Sequence, residues 1–518
     1  TITVTRAAML QDIYEVTFGS GEDSTSVTMG EVQGQSVFLV KANFSGSATS
    51  EPHGILSSMT QNRSSFGAAV QRTEYTPHSG IVTQDRPDVT EFNTRPVPQS
   101  ITDTSRSRST LPGVESPQRS YSEGDTRSFW VDDGPNEQSG VFDEITATLR
   151  AVGDNSYIWI HDSVYDDSST ADDDNLLTTA QAEAMRDAFE LLYPRVTNLY
   201  GYELGGGPGG DGGMDGDERI SILFYDIGSD YEATQDRGVL GYFWGKDAYT
   251  QAEMDVYDLK SNEAEIFYMD AHFTDFWQKG IESTLAHEYQ HMIHFNQKNV
   301  LQNIASETWF NEMLSMVAED YLSETLGTVL YDSHPSGRIS MYNNYYDYSG
   351  ITDWLSGDYN IVSYSSAYLF GGFLARNYGG AELINQLSTN NKAGIASINA
   401  ALQTLGYTED FQDIMEEYAK LHVYPTGHGV LNKDFSGGEQ AFGGITYNLP
   451  TFDLFSTEVN GGPGPIVFDP ADYSGLNLRP YGFQVWQSAE WDTIADEEIT
   501  IHLDKPNGSN VRLFLMKK

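Results

Sequence analysis

Two predicted helices that carry histidine and carboxylate side chains constrain this chain more than any other feature. Apolar residues recur at helical spacing along residues 281–297, which predicts a helix with one buried stripe. His287 and His291 are four residues apart, so both imidazoles project from one face, one turn apart. Two neutral imidazoles in this arrangement suit two corners of a zinc tetrahedron. Glu288 lies on the neighbouring face, where it can reach a water molecule that the metal makes easier to deprotonate.

The next amphipathic segment supplies a candidate for the third protein ligand. Residues 307–322 again show apolar residues at helical spacing, and twenty residues separate His291 from Glu312. A helix, a turn and a returning helix can bring Glu312 opposite the two imidazoles. Three protein ligands and one water form a catalytic zinc site, whereas a structural zinc is closed by four protein ligands. HExxH alone arises by chance on many helices, and the carboxylate at this spacing makes zinc binding the stronger interpretation.

These residues carry a resemblance to the gluzincin metallopeptidases, in which HExxH precedes an Asn-Glu pair by about one helix-turn-helix. The segment WFNEMLSMVAEDYL is similar to the WLNEGFA segment of the aminopeptidase N group. Over residues 260–425 the chain resembles hyicolysin-type secreted neutral metalloproteases. The resemblance implies a bilobal zincin fold and a secreted zinc endopeptidase that hydrolyses internal peptide bonds. A metzincin site is excluded, because it requires Gly and His where this chain has His294 and Gln297.

The resemblance also implies roles for two further side chains. In the aminopeptidase N group an acidic residue follows the ligand by seven positions, and here that residue is Glu319. Two helical turns place Glu319 on the same face as Glu312, from which it would orient a ligand imidazole. A tyrosine of that group donates a hydrogen bond to the oxyanion, and the segment VSYSSAY matches it in Tyr364, with Tyr368 in reserve. A tyrosine that only packs is the alternative for Tyr364.

The strand predicted just before the active-site helix bears on the substrate. In gluzincins the edge strand at the position of residues 264–270 pairs with the substrate backbone, which implies a protein or peptide bound in extended form. The aminopeptidase N group carries a Gly-x-Met-Glu-Asn segment about here that holds the free amino terminus, and this chain lacks it. Endopeptidase activity is therefore favoured. An aminopeptidase remains an alternative, and so does an extracellular or cell-surface binding or adhesion protein built on a zincin scaffold.

Composition limits the partners and the cellular location. The chain of 518 residues has 75 Asp and Glu against 29 Lys and Arg, a net charge of −46. Such a charge repels nucleic acid and anionic membranes and fits an extracellular protein, although plain solubility is an alternative reason. The absence of cysteine excludes thiol catalysis and a Cys-ligated zinc. No apolar run is long enough to predict a membrane span, and nothing indicates the oligomeric state.

A glycine-rich loop, GGGPGGDGGMDGDERI, carries three aspartates with the chemistry of calcium ligands. Asp211, Asp215 and Asp217 offer hard oxygen atoms on a flexible backbone, so we predict a calcium site in this loop in addition to the zinc site. The full EF-hand spacing with its closing Glu is missing. A solvated acidic loop is therefore an equal alternative.

Periodicity and punctuation divide the chain into five predicted parts and indicate the α+β class. The parts are an N-terminal β domain (residues 1–80), a Pro/Ser/Thr-rich linker or surface segment (81–122), a zincin N-terminal lobe with a mixed β-sheet and the active-site helix (123–300), an α-helical C-terminal lobe (301–425) and a β-sandwich-like module (426–518). Arg106 and Arg108 make the second part a candidate for proteolytic processing, with an uncut linker as the alternative.

Overall fold

Helices and sheets both contribute to the computed structural model of this chain, which is consistent with the predicted α+β class. The structure describes residues 12–18, 22, 24–49, 82–83, 86–95, 120–134, 140–167, 176–228, 237–328, 334–456, 464–469, 477–488, 491–504 and 510–518. The predicted processing site at Arg106 and Arg108 lies outside these residues. No helix within them is both long and apolar enough to cross a membrane.

The strands are described first, in chain order. They are β1 (Ile13–Val16), β2 (Ser24–Gly30), β3 (Val37–Asn43), β4 (Val82–Thr83), β5 (Thr126–Asp132), β6 (Phe142–Val152), β7 (Ser156–His161), β8 (Ile220–Tyr225), β9 (Arg237–Gly238), β10 (Gly241–Tyr242), β11 (Ile266–Asp270), β12 (Gly438–Phe442), β13 (Ile445–Leu449), β14 (Phe483–Trp486), β15 (Glu498–Asp504) and β16 (Val511–Lys517).

The helices follow the same numbering convention. They are α1 (Pro87–Thr94), α2 (Thr179–Tyr200), α3 (Gln251–Met254), α4 (Ala271–Phe276), α5 (Gln278–His294), α6 (Thr308–Leu326), α7 (His334–Tyr345), α8 (Asn360–Asn377), α9 (Ala381–Thr389), α10 (Gly394–Thr404) and α11 (Phe411–Lys420). A π-helix, Phe295–Val300, continues α5. The helices predicted at residues 281–297 and 307–322 are confirmed as α5 with its π-helical extension and as α6.

A six-stranded sheet with the order β10-β11-β8-β7-β6-β5 contacts α5, the predicted active-site helix, through β10 and β11. β7, β8 and β11 are parallel neighbours, and every residue of β8 and β11 is buried, as expected for strands covered on both faces. The strand before the active-site helix was predicted to be an edge strand, and that prediction is wrong. β11 pairs with β8 on one side and with β10 on the other, so among the described strands the edge on this side of the sheet is β10 and the opposite edge is β5.

The helices that carry the site pack closely on one another. α5 contacts α6, and α6 contacts α8. Gly371 of α8 permits this second contact, because a Cβ atom there would meet Met313 Cγ and Val317 Cγ2 of α6 at 2.7 Å each. A larger residue at position 371 would push α6 away from α8. The side chains of α6 that face α5 would then also move.

Strands from the two ends of the described chain share sheets. The order β1-β16-β3-β14 interleaves strands from residues 1–80 with strands from residues 426–518, and β2 pairs with β15 along seven residues. The two predicted terminal β modules are therefore hydrogen-bonded to each other. Their buried side chains belong to one hydrophobic cluster with α5, α6 and α8.

The predicted linker segment contains a helix that its composition does not indicate. The N-cap of α1 and three of its residues lie at helical spacing and face the sheet and α5. They are Arg86, Val89, Thr90 and Asn93. Arg86, Val89 and Asn93 are buried, and Thr90 is half-buried. The opposite face, with Asp88 and Glu91, is exposed. α1 is thus amphipathic and lies against the body of the protein.

Candidate active site

Three of the predicted site residues converge between α5 and α6. The ring centroids of His287 and His291 are 4.7 Å apart, and the Nε2 atoms lie 3.2 Å and 3.4 Å from Glu312 Oε2. One ligand atom from each residue can be chosen so that all three lie within 4.8 Å of one another. All three side chains are buried. The helix, turn and returning helix expected from the sequence bring these groups together.

His287 is oriented from behind by Glu319, as the sequence resemblance implies. His287 Nδ1 donates to Glu319 Oε1 at 2.7 Å, which turns Nε2 towards Glu312. The other oxygen of Glu319 accepts from Ser283 Oγ at 3.1 Å and from Arg338 Nη1 at 3.3 Å. Arg338 has no local signal in the sequence, because it lies outside the two motif helices.

His291 has a matching partner in Asn311, the residue before Glu312. His291 Nδ1 donates to Asn311 Oδ1 at 3.2 Å, so both imidazoles use Nδ1 as a donor and turn Nε2 to the same point. The Asn-Glu pair in the sequence could have suggested this role. Adjacent residues of a helix project in directions that differ by about 100°, so Asn311 and Glu312 can reach different nitrogens of one imidazole. Ser315 also lies here, with its hydroxyl 3.2 Å from His287 Nε2 and donating to the Glu312 carbonyl at 3.0 Å.

The pKa shifts of both histidines show that a positive charge is favoured beside these carboxylates. Burial acts to lower the pKa of His287, but the hydrogen bonds that its imidazole donates to the carboxylates of Glu312 and Glu319 outweigh burial and raise the pKa to about 10. Burial acts to raise the pKa of Glu312, and the charge of the His291 imidazole and both histidine hydrogen bonds hold it well below its usual value. A buried site of this kind favours a cation, and two imidazoles with one carboxylate form a donor set that suits zinc.

Glu288 and Tyr364 line the same cleft as the three converging residues. Burial raises the pKa of Glu288, while the neighbouring imidazoles and the backbone N–H of Phe243 oppose that shift. Tyr364 packs edge-on against Trp354, with ring centroids 4.8 Å apart. The reserve candidate, Tyr368, does not line the cleft and instead stacks on Phe452 in the core. The two tyrosines that the sequence left open are thus distinguished by position.

The three predicted calcium ligands do not converge. Asp211 is exposed and accepts from Gly213 N at 3.3 Å, and Asp215 accepts from Asp217 N at 3.1 Å. Asp217 Oδ2 accepts from Tyr157 Oη at 2.7 Å. Within the part of the chain that the structure describes, the zinc-site triad is the only group of three or more such ligands that come this close. The geometry therefore gives the calcium prediction no support.

The donor set on this cleft suits a metal ion, and two comparisons report similarity to peptidases. Residues 217–426, which include α5 and α6, match the family described as Peptidase M30. The chain is 28% identical over 264 residues to the neutral metalloprotease ShpI of Staphylococcus hyicus. This alignment covers 48% of the chain and 51% of the relative, so the chain spans about half the length of the relative that it matches. The predicted resemblance to zinc metallopeptidases of the hyicolysin type is confirmed.

Proposed function

We propose that this protein is a secreted zinc endopeptidase that cleaves protein or peptide substrates at internal bonds. The observation that carries the proposal is the meeting of His287 Nε2, His291 Nε2 and Glu312 Oε2 at one point on a cleft. These three residues would hold zinc, and Glu319 and Asn311 would orient the two imidazoles. The net charge of −46 supports an extracellular location. The sheet with α5 and the helices from α6 onwards would form the two lobes of a zincin.

The chemistry follows from the groups that line the cleft. Zinc supplies a Lewis acid that polarises the peptide carbonyl and makes water easier to deprotonate. Glu288 accepts the proton of the attacking water and then delivers it to the leaving amine. Its raised pKa suits both tasks, because a carboxylate that is too acidic would not hold the proton. The hydroxyl of Tyr364 donates a hydrogen bond to the oxyanion.

The substrate would bind in extended form along β10. Among the described strands β10 pairs with β11 alone, and Gly241, Tyr242 and Phe243 line the cleft beside Glu288. An edge strand offers backbone donors and acceptors to any peptide, which gives affinity with little demand on side chains. Gly241 also keeps the strand close to the active-site helix, because a Cβ atom there would meet the Tyr268 carbonyl oxygen at 2.8 Å and Glu288 Cγ at 3.2 Å.

Replacing Glu288 by Gln tests the proposal. We expect E288Q to bind zinc in the same amount as the unaltered protein and to lose casein hydrolysis by a factor of about 100 to 10,000. E282Q is the matched control, because Glu282 lies on the same helix, is buried, and bonds to Lys279 and Gln278 away from the cleft. Full activity of E288Q would remove Glu288 from the mechanism.

The same assay separates the alternatives. A binding or adhesion protein on this scaffold would bind zinc and hydrolyse neither casein nor peptides. An aminopeptidase would hydrolyse peptides with a free amino terminus and leave N-terminally blocked peptides intact. We expect hydrolysis of blocked peptides, stopped by a zinc chelator and restored by zinc.

A further inference from the structure

One wall of the cleft comes from α1, which lies outside the residues that match Peptidase M30. Arg86, Val89, Thr90 and Asn93 line the cleft together with residues of β10 and the active-site helix. These four positions follow the spacing of one helix face. A segment whose composition predicts a linker therefore lines the cleft in which a substrate would lie.

Arg86 holds the N-terminal end of α1 in place. Arg86 Nη1 lies 2.8 Å from Asp132 Oδ2, and Nη2 donates to the Gly134 carbonyl at 3.3 Å. The guanidinium also lies over the ring of Tyr242, 5.1 Å from its centroid. Because the ion pair is buried, the charge of Arg86 is already balanced and is not available to a substrate carboxylate.

The C-terminal end of α1 is fixed to the segment that follows β10 and to the π-helix. Asn93 Nδ2 donates to the Phe243 carbonyl at 2.5 Å, and Asn93 Oδ1 accepts from Gly245 N at 2.8 Å. Asn299 Nδ2 donates to the carbonyls of Asn93 at 2.7 Å and of Arg95 at 2.5 Å. Bonds at both ends hold α1 at a fixed distance from the edge strand, so the wall is preformed.

We propose that Thr90 is a specificity-determining residue, an inference that rests on the proposed endopeptidase function. With Val89 and Val239, Thr90 bounds a subsite for an aliphatic side chain of the peptide segment that pairs along β10. Val89 and Val239 belong to one buried cluster with Tyr242, which fixes them in place. Thr90 is half-buried and projects from the same helix face, so its size limits the subsite.

The chemistry of the lining favours an aliphatic side chain over a charged one. Two valines and the threonine methyl group give contacts to carbon atoms and no uncompensated charge. The Glu288 carboxylate would repel an acidic side chain of the substrate, and the Arg86 guanidinium would repel a basic one. Burial of each additional methylene of the substrate strengthens binding about 4-fold, which is enough for selection among aliphatic residues.

The experiment compares cleavage of an N-terminally blocked peptide library by the zinc-loaded enzyme and three variants. T90A widens the subsite and T90F fills it, while E91A changes the exposed neighbour on the opposite face of α1. Products are read by mass spectrometry, and kcat/KM is measured for peptides that differ at one position. Zinc content and thermal unfolding are measured for each variant.

We expect T90F to reduce kcat/KM for a leucine-containing peptide relative to its alanine counterpart by about 10-fold at one substrate position. T90A should shift the preference at that position towards larger side chains, and E91A should reproduce the unaltered profile. An unaltered profile in T90A and T90F overturns the assignment of Thr90. If T90F does not fold, the T90A profile alone decides. If the unaltered protein with zinc cleaves no peptide, the proposed function fails instead.

Discussion

Replacing Glu319 by Gln should weaken zinc binding about 10- to 100-fold, or about 1.4 to 2.7 kcal/mol. Glu319 accepts from His287 Nδ1 at 2.7 Å, and a charge-assisted bond of this kind is roughly twice as strong as a neutral one. A glutamine oxygen can still accept from the imidazole. The new amide N–H groups would then face the donors Ser283 and Arg338, which the second carboxylate oxygen now satisfies.

The neighbouring residue on α6 provides the control. Asp320 is also buried, and it pairs with Arg376 at 2.7 Å on the side of the helix away from the imidazoles. D320N removes one charge from a buried ion pair on the same helix, as E319Q does, and should cost about 3 kcal/mol of unfolding free energy. It should leave the zinc dissociation constant unchanged.

The assay measures zinc affinity by competition with a chelator and stability by urea denaturation of each variant. E319Q should change the zinc affinity, and D320N should change only the stability. If D320N weakens zinc binding as much as E319Q, general loosening of α6 explains both results. If E319Q binds zinc like the unaltered protein, the argument from the 2.7 Å hydrogen bond is refuted.

Three further predictions follow from packing, burial and the cleft. G371A should lower the unfolding free energy by about 1 to 3 kcal/mol in urea denaturation, because its Cβ would lie 2.7 Å from two α6 side chains. G372A, whose Cβ would come no closer than 3.2 Å to Arg376 Nη1, should be destabilised less than G371A. Burial lowers the pKa of His422 to about 4 from 6.5, so its neutral form stabilises the fold above pH 6.5. Stability should fall by about 3 kcal/mol as the pH drops from 6.5 towards 4, and the H422Q variant should lack this component; equal pH dependence in both would contradict the argument. Y364F should keep its zinc and lower kcat about 100-fold, and an unchanged kcat would leave Tyr364 as a packing residue.

The parts of the site that the sequence predicts are those with a local periodic signal. The helices of His287, His291 and Glu312 are amphipathic over several turns, so both their existence and the faces that meet could be predicted. The role of Glu319 is predicted from the resemblance to the aminopeptidase N group, and the two turns between it and Glu312 place both on one face. The structure places all four groups in contact.

The parts that the sequence does not predict depend on tertiary contacts. Arg338 reaches Glu319 from α7, and nothing in the local pattern marks it. The edge strand β10 has only two residues, which is too short for an alternating pattern, so the longer β11 was taken for the edge. α1 lies within a Pro/Ser/Thr-rich region whose composition hides one amphipathic helix. The pairing of β1 and β3 with β16 joins residues that are far apart in the chain, and local reasoning has no information on such pairs.

The interleaving of the first and last strands affects how the molecule would respond to a single backbone cut. β16 lies between β1 and β3 and forms main-chain hydrogen bonds with both, so each side of it pairs with a strand that is far away in the sequence. A nick between Thr49 and Val82 would therefore yield a two-fragment complex that migrates as one species in gel filtration and as two bands after denaturation. The released amino-terminal fragment and the remainder should likewise reassociate when mixed, since each carries strands that complete the sheet of the other.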